Sequence, residues 1–218
     1  MTKLILVRHG QTEWNIDGRY QGQTDVPLSA DGVRQAQLLA DHFPLEKVDA
    51  IYSSDLNRAM VTAGYIAQRF GIQVQPEPAF RELSFGAWEG LSYEEIVSGW
   101  PEAMKDFLKH PDRLEIPNGE SFPHLQDRAM ARLREIIKVH EGGRVVIVAH
   151  GAILRTILCS ALHMSLAHVW TIRQFNTALN VVCYDGDWSS VELMNSTAHL
   201  GDAKIVEKMA DCIIKLNT

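Results

Sequence analysis

Lys3-Leu4-Ile5-Leu6-Val7-Arg8-His9-Gly10 and Val145-Val146-Ile147-Val148-Ala149-His150-Gly151 decide how this chain folds. Each is a short apolar run that closes on a histidine followed by a glycine. A run without polar alternation marks a strand buried on both faces, as in a parallel sheet covered by helices. Ligands of such sheets bind beyond the carboxyl ends of the strands. The residues just after each run are therefore the ones to inspect. His9 and His150 lie 141 residues apart in sequence, yet they stand side by side if the two strands are neighbours.

Working outward, strand and helix alternate. Ser29 reads as a helix N-cap, with Val33, Ala36, Leu39, Ala40 and Phe43 at helical spacing and Pro44 as the stop. Ala50–Ser53 is a second strand. Asn57–Phe70 is a second helix, with Gly71 as its C-terminal cap. Residues 76–120 differ: Gly, Pro and aromatics are dense, one short helix falls near 93–97, and 101–117 forms a second helical patch. That stretch reads as an excursion over the strand ends, covering the place where a site would lie. A long helix over 121–140, a helix over 151–162, and strands at 178–184 and 188–194 around an Asp185-Gly186-Asp187 turn complete the pattern. The expected architecture is α/β: one domain over 1–218, a three-layer sandwich with a mostly parallel central sheet, helices on both faces and an antiparallel edge strand.

Composition removes several functional classes. The chain has 218 residues, 46% hydrophobic and 22% charged, which excludes disorder. No apolar run approaches the ~20 residues that span a bilayer, and the apolar part of residues 1–8 is too short for a secretory signal. A cytoplasmic protein without a membrane partner is expected. With 27 acidic against 21 basic residues, the net charge of −6 excludes a basic nucleic-acid binder. Cys159, Cys183 and Cys212 lie 24 and 29 residues apart, a spacing that suits neither a disulfide framework nor a zinc site. His163, His168 and His199 also lack metal spacing, so no metal is expected.

The chemistry sits at the strand ends. One histidine there reads equally well as a partly buried side chain bonded to backbone; two, each before a glycine, read less easily that way. Gly10 and Gly151 allow a ligand to approach the main chain, and Gly151 opens a helix whose free N–H groups favour an anion. Arg58 falls in the first turn of its helix, where a cation opposes the dipole. Alone it would read as a solvated surface residue. Arg8 ends a buried strand, where an unpaired charge is costly. A phosphate dianion would satisfy both guanidinium groups. Other phosphate chemistries are absent from the sequence: there is no Gly-x-x-x-x-Gly-Lys-[Ser/Thr] loop and no Cys followed six residues on by Arg. Asp185-Gly186-Asp187 has the shape of an aspartyl phosphotransferase motif but sits late, in a turn. No Gly-x-Ser-x-Gly occurs either.

Leu4-Ile5-Leu6-Val7-Arg8-His9-Gly10-Gln11-Thr12-Glu13-Trp14-Asn15 resembles the opening signature of the histidine phosphatase superfamily, the phosphoglycerate-mutase-like proteins. Arg19-Tyr20-Gln21-Gly22-Gln23-Thr24-Asp25, Leu28-Ser29-Ala30-Asp31-Gly32, Tyr52-Ser53-Ser54-Asp55-Leu56-Asn57-Arg58-Ala59, Arg81-Glu82-Leu83-Ser84-Phe85-Gly86-Ala87-Trp88-Glu89-Gly90 and Val148-Ala149-His150-Gly151 resemble further family blocks in family order. The likeness covers nearly the whole chain and thins after about Tyr184. It implies that His9 is the nucleophile, that Arg8, Arg58 and His150 hold and neutralise the phosphate, and that Glu82 donates a proton to the leaving oxygen. It places Asn15, Gln21, Gly22 and the Gly151 amide around the pocket. Glu13 and Glu89 do not match the acid position.

These roles are chemically coherent. A neutral imidazole can attack phosphorus in line if its other nitrogen donates to a fixed acceptor. Arg8, Arg58 and a protonated His150 would match the charge on the equatorial oxygens without a metal or other cofactor. Apolar neighbours Leu83, Phe85 and Trp88, together with the phosphate, would raise the pKa of Glu82. The expected activity is metal-independent hydrolysis of a small phosphate monoester through phosphohistidine. By resemblance the candidate substrates are phosphoserine, α-ribazole phosphate or a broad set. In family members that are mutases the segment from the acid to the second histidine is longer. Here it spans 68 residues, which resembles the phosphatase members. A cofactor-dependent phosphoglycerate mutase and an inactive binding or regulatory relative remain the alternatives. The segment Met194-Asn195-Ser196-Thr197-Ala198-His199-Leu200 is similar to that of metal-independent phosphoserine phosphatases. Folded over the pocket, it would bring His199 to a substrate carboxylate. By family habit alone, a homodimer is the suggested assembly.

Overall fold

A computed structural model describes residues 1–201 of the chain. In β1 (Thr2–Arg8) the residues from Leu4 to Val7 are fully buried. Consecutive side chains point to opposite faces, so Leu4 and Leu6 enter one core and Ile5 and Val7 another. Each such burial contributes about 1.5–3 kcal/mol. A single-turn helix α1 (Glu13–Ile16) is followed by α2 (Ala30–Asp41), which starts at Ser29, whose Oγ accepts from the Gly32 amide at 3.0 Å. The chain continues through β2 (Ala50–Ser53), α3 (Asn57–Phe70), β3 (Val74–Pro76), α4 (Tyr93–Gly99), α5 (Pro101–Lys109), α6 (Phe122–Val139), β4 (Arg144–Ala149), α7 (Gly151–Ala161), β5 (Leu179–Asp185) and β6 (Trp188–Ser196).

The strands form one sheet in the order β3-β2-β4-β1-β5-β6. The first four are parallel, β5 is antiparallel to β1, and β6 is antiparallel to β5. The α/β sandwich is therefore as expected. The antiparallel edge is the β5–β6 hairpin, in which β5 runs against β1 and the edge strand β6 runs with β1 again. Side chains of α2 and α3 fill the core on one face. Those of α6, α7 and the 76–120 excursion fill the larger core on the other. In the β1–β4 register Arg8 faces Ala149, and the His9 amide donates to the Ala149 carbonyl at 3.0 Å. The two histidines thus leave adjacent strands at the same level.

The local differences from expectation have physical causes. β3 escapes a sequence reading because it is three residues long, pairs on one side only, and contains Pro76, which an edge tolerates. The helical patch expected over 101–117 ends at Lys109. His110 precedes Pro111, and a residue before proline is driven out of the helical region. α2 stops at Asp41, so Phe43 packs into its core from beyond the helix. The excursion is part of the core: Phe80, Leu83, Trp88, Ile96 and Phe107 are buried in it, and Phe107 lies 4.7 Å from Trp170 between ring centroids. Cys159 and Cys183 are buried free thiols, and Cys212 lies outside the described residues. Among the described residues no helix is long and apolar enough to cross a membrane.

Candidate active site

His9 stands one residue beyond β1 and is 3% exposed. Its Nδ1 lies 2.6 Å from the Gly10 carbonyl. A carbonyl only accepts, so the proton is on Nδ1 and Nε2 is bare. Burial first, then the charges of Arg58 and Arg8, hold its pKa well below the ordinary imidazole value. The result is a neutral, oriented imidazole with one bare ring nitrogen.

Arg58 is the second residue of α3 and is fully buried. Its Nη1 and Nη2 donate to the carbonyls of Thr24 and Gly22 at 2.8 and 2.7 Å, and its Nε to His150 Nδ1 at 3.2 Å. None of these acceptors is a carboxylate. Burial is the main reason its pKa is pushed down to about 10, so it remains charged near neutrality. A buried cation at the unfavourable end of a helix, held by neutral acceptors, is an arrangement that favours an anion. The loop that supplies the two carbonyls is itself clamped by Glu89, whose carboxylate accepts from Gln23 N, Thr24 N and Thr24 Oγ1. Gly22 has φ +55°, and a Cβ there would collide with that carboxylate, so only glycine suits the position.

His150 is fully buried, with Nε2 2.7 Å from Ser54 Oγ and its ring centroid 5.0 Å from that of His9. Because Arg58 can only donate, His150 Nδ1 accepts, and the proton sits on Nε2 facing Ser54. Burial, followed by Arg58, His9 and Arg8, holds its pKa well below the ordinary value. This corrects the expectation of a protonated His150: in this structure the positive charge belongs to the arginines. Arg8 is half-buried and its Nη1 donates to the Gln174 carbonyl at 2.6 Å.

Glu82 reaches the site from the excursion. Its neighbours Leu83, Phe85 and Trp88 are buried. It accepts from Leu83 N at 2.9 Å, from Ala152 N at 3.1 Å and from Ile153 N at 3.2 Å. It thus caps the N-terminus of α7. The helix end read as an anion site at Gly151 is shared with this carboxylate.

Arg8, His9, Asn15, Gln21, Gly22, Arg58 and Glu82, with Tyr20 and Phe85, line one cleft of about 190 Å³. A hollow of about 620 Å³ on α3 is larger, but Val61, Tyr65 and Gln68 give it no comparable chemistry. Asn15 Oδ1 accepts from Thr12 N and from Asn176 Nδ2, which also bonds the His9 carbonyl. His199 is placed elsewhere. Its Nε2 lies 2.9 Å from Thr177 Oγ1, it is not among the residues lining the cleft, and burial pushes its pKa down to about 4.

Sequence reasoning missed Ser54, Asn176 and a third arginine. Arg155 Nε donates to the Ile172 carbonyl at 2.7 Å, and its guanidinium stacks 5.4 Å from the Trp170 ring centroid. Its Nη1 is 3.0 Å from the point where a Gly151 Cβ would stand; Arg8 Nε and Glu82 Oε2 are 3.7 Å from that point. The available signal was its spacing, one helical turn beyond Gly151. Among the described residues no group of three or more His, Cys, Asp or Glu is arranged to hold a metal.

The family model described as "Histidine phosphatase superfamily (branch 1)" matches residues 4–197. Phosphoserine phosphatase 1 of Hydrogenobacter thermophilus is 36% identical over 202 residues, covering 93% of this chain and 96% of that protein. A metal-independent phosphoserine phosphatase of Arabidopsis thaliana is 38% identical over 218 residues, covering 94% and 90%. The solved structure of Bacillus stearothermophilus YhfR superposes with a TM-score of 0.88 at 32% identity, covering 92% of this chain and 100% of that one. The chain belongs to the histidine phosphatase superfamily, branch 1, and is a hydrolase of phosphoric monoesters.

Proposed function

We propose that the protein hydrolyses a small phosphate monoester in two steps through phosphohistidine on His9, and that phosphoserine is its preferred substrate class. The observation that carries the mechanism is the Nδ1–H bond from His9 to the Gly10 carbonyl, which leaves Nε2 as a neutral nucleophile facing the cleft. Nε2 attacks phosphorus in line, and the bond from phosphorus to the ester oxygen breaks. Glu82, in its acid form, gives that oxygen its proton. Arg8 and Arg58 meet the charge on the equatorial oxygens, with His150 Nδ1 fixing the Arg58 fork. In the second step Glu82 takes a proton from water as the water attacks phosphorus and the P–N bond breaks. No metal is needed in either step.

The substrate class is supported by two phosphoserine phosphatases that match more than nine-tenths of the chain and by a cleft sized for a small metabolite. The test is phosphate release, with EDTA present, from phosphoserine, α-ribazole phosphate, 3-phosphoglycerate and p-nitrophenyl phosphate. Release by the wild type, none by His9→Ala, and the highest kcat/KM on phosphoserine are expected. Conversion of 3-phosphoglycerate to its isomer without release would replace this reading with that of a mutase. No turnover of any ester would remove the enzymatic reading.

A further inference from the structure

Arg128, the seventh residue of α6, reads in sequence as one more surface cation on an amphipathic helix. The structure gives it another job. Its Nε and Nη2 form a fork on the Glu120 carboxylate at 2.7 and 3.0 Å. Its Nη1 donates to the Ala79 carbonyl at 2.7 Å. Nη2 also donates to the carbonyls of Arg81 and Glu82 at 2.8 and 3.0 Å. The last two flank the Cα of Glu82, so one guanidinium holds the peptide planes on both sides of that residue.

The rest of the local network converges on the same segment. Glu120 is 8% exposed, and its amide donates to the Ser84 carbonyl at 2.9 Å while its Oε2 accepts from Ser84 N at 3.4 Å. Arg81 forks onto Asp55 at 2.7 and 2.5 Å, and Gln23 Nε2 reaches the Glu82 carbonyl at 3.3 Å. The segment is a loop without ladder hydrogen bonds of its own. A proton donor must lie within hydrogen-bond reach of the leaving oxygen, and a misplacement of about 1 Å costs about 10²-fold.

We infer that Arg128, oriented by Glu120, is a positioning residue that aims the Glu82 carboxyl at the leaving oxygen. The inference rests on the reading of Glu82 as proton donor. A general acid matters most when the leaving oxygen is a strong base. It matters little for p-nitrophenolate, which departs without a proton. The consequence is a selective loss that general destabilisation would not produce.

The experiment compares kcat/KM, which reports formation of the phosphoenzyme, on p-nitrophenyl phosphate and on an alkyl ester such as phosphoserine. Arg128→Met should lose about 10- to 100-fold on the alkyl ester and less than about threefold on p-nitrophenyl phosphate. Arg128→Lys should recover part of the loss. Glu82→Gln should give the same pattern more strongly, and the double variant should be no worse than Glu82→Gln alone. If Arg128→Met does not fold, Glu120→Gln keeps the packing, loosens the fork and should show a smaller loss with the same selectivity. Equal losses on the two esters, or losses that add to that of Glu82→Gln, would overturn the positioning role. Absence of selectivity in Glu82→Gln itself would overturn the proton-donor reading and this inference with it.

Discussion

Replacing Arg58 by methionine separates the two demands this buried cation meets. Burial pushes its pKa down to about 10, which corresponds to a standing cost of about 3 kcal/mol for keeping the charge out of water. Methionine has a similar reach and removes that cost. It also removes three hydrogen bonds made by a charged donor, each about 1.5–3 kcal/mol. The two contributions oppose each other, so the net loss should be a few kcal/mol, within the 5–15 kcal/mol typical of a domain. Catalysis has no such offset. At about 4 Å and an effective dielectric near 20, one unit charge is worth about 4 kcal/mol to a phosphoryl oxyanion, or about 10³ in kcat/KM. The assay pairs kcat/KM on p-nitrophenyl phosphate with urea unfolding in the presence and absence of inorganic phosphate. Phosphate at about 100 times its Kd should stabilise the wild type by about 2.7 kcal/mol and the variant hardly at all. A folded Arg58→Met protein that keeps its activity within tenfold, or that phosphate stabilises as well as it does the wild type, would refute the assignment of this charge to an anion.

Two predictions concern protons. His9 and His150 are both held neutral by burial and by the arginines, so their Cε1–H NMR signals should show no titration between pH 7.5 and 5.5; an inflection near the ordinary imidazole value would contradict the neutral nucleophile. His199 is neutral in the folded protein down to about pH 4, whereas in the unfolded chain it takes up a proton in the ordinary imidazole range. Its contribution is therefore intact above that range and is lost as pH falls towards 4. Between pH 7.5 and 5 the full effect is about 2 kcal/mol, reduced to about 1 kcal/mol by its partial exposure. The wild type should lose that much more stability than His199→Gln over this interval, measured by urea unfolding.

What was legible in the sequence was whatever leaves a pattern along the chain. The unbroken apolar runs of β1 and β4 announced strands buried on both faces, and the histidines behind them had to meet once those strands paired. Arg58 was visible because it stands at the wrong end of a helix dipole. The rest of the site is held by bonds between side chains and distant carbonyls, which leave no periodic trace. Arg128 and Arg155 lie inside helices, and the carbonyls they bind carry no residue identity. Glu89 does not match the acid position in sequence, and its part in clamping the Gly22 loop follows only from the fold. The charge on His150 is not legible in the sequence, because protonation depends on how many cations share its burial and the sequence shows only which residues are present.

The pairing of β1 with β4 also has a consequence for how the molecule is made. On a ribosome, β1 emerges about 135 residues before β4, the strand it pairs with in parallel. At 5–20 residues per second that interval is on the order of ten seconds. Through it, a strand with apolar side chains on both faces has neither neighbour in place, since β5 follows later still. His9 meets His150 only when β4 docks, so a nascent fragment shorter than that lacks the histidine pair. β1 is therefore a stretch that a chaperone would find exposed until β4 and β5 have been made.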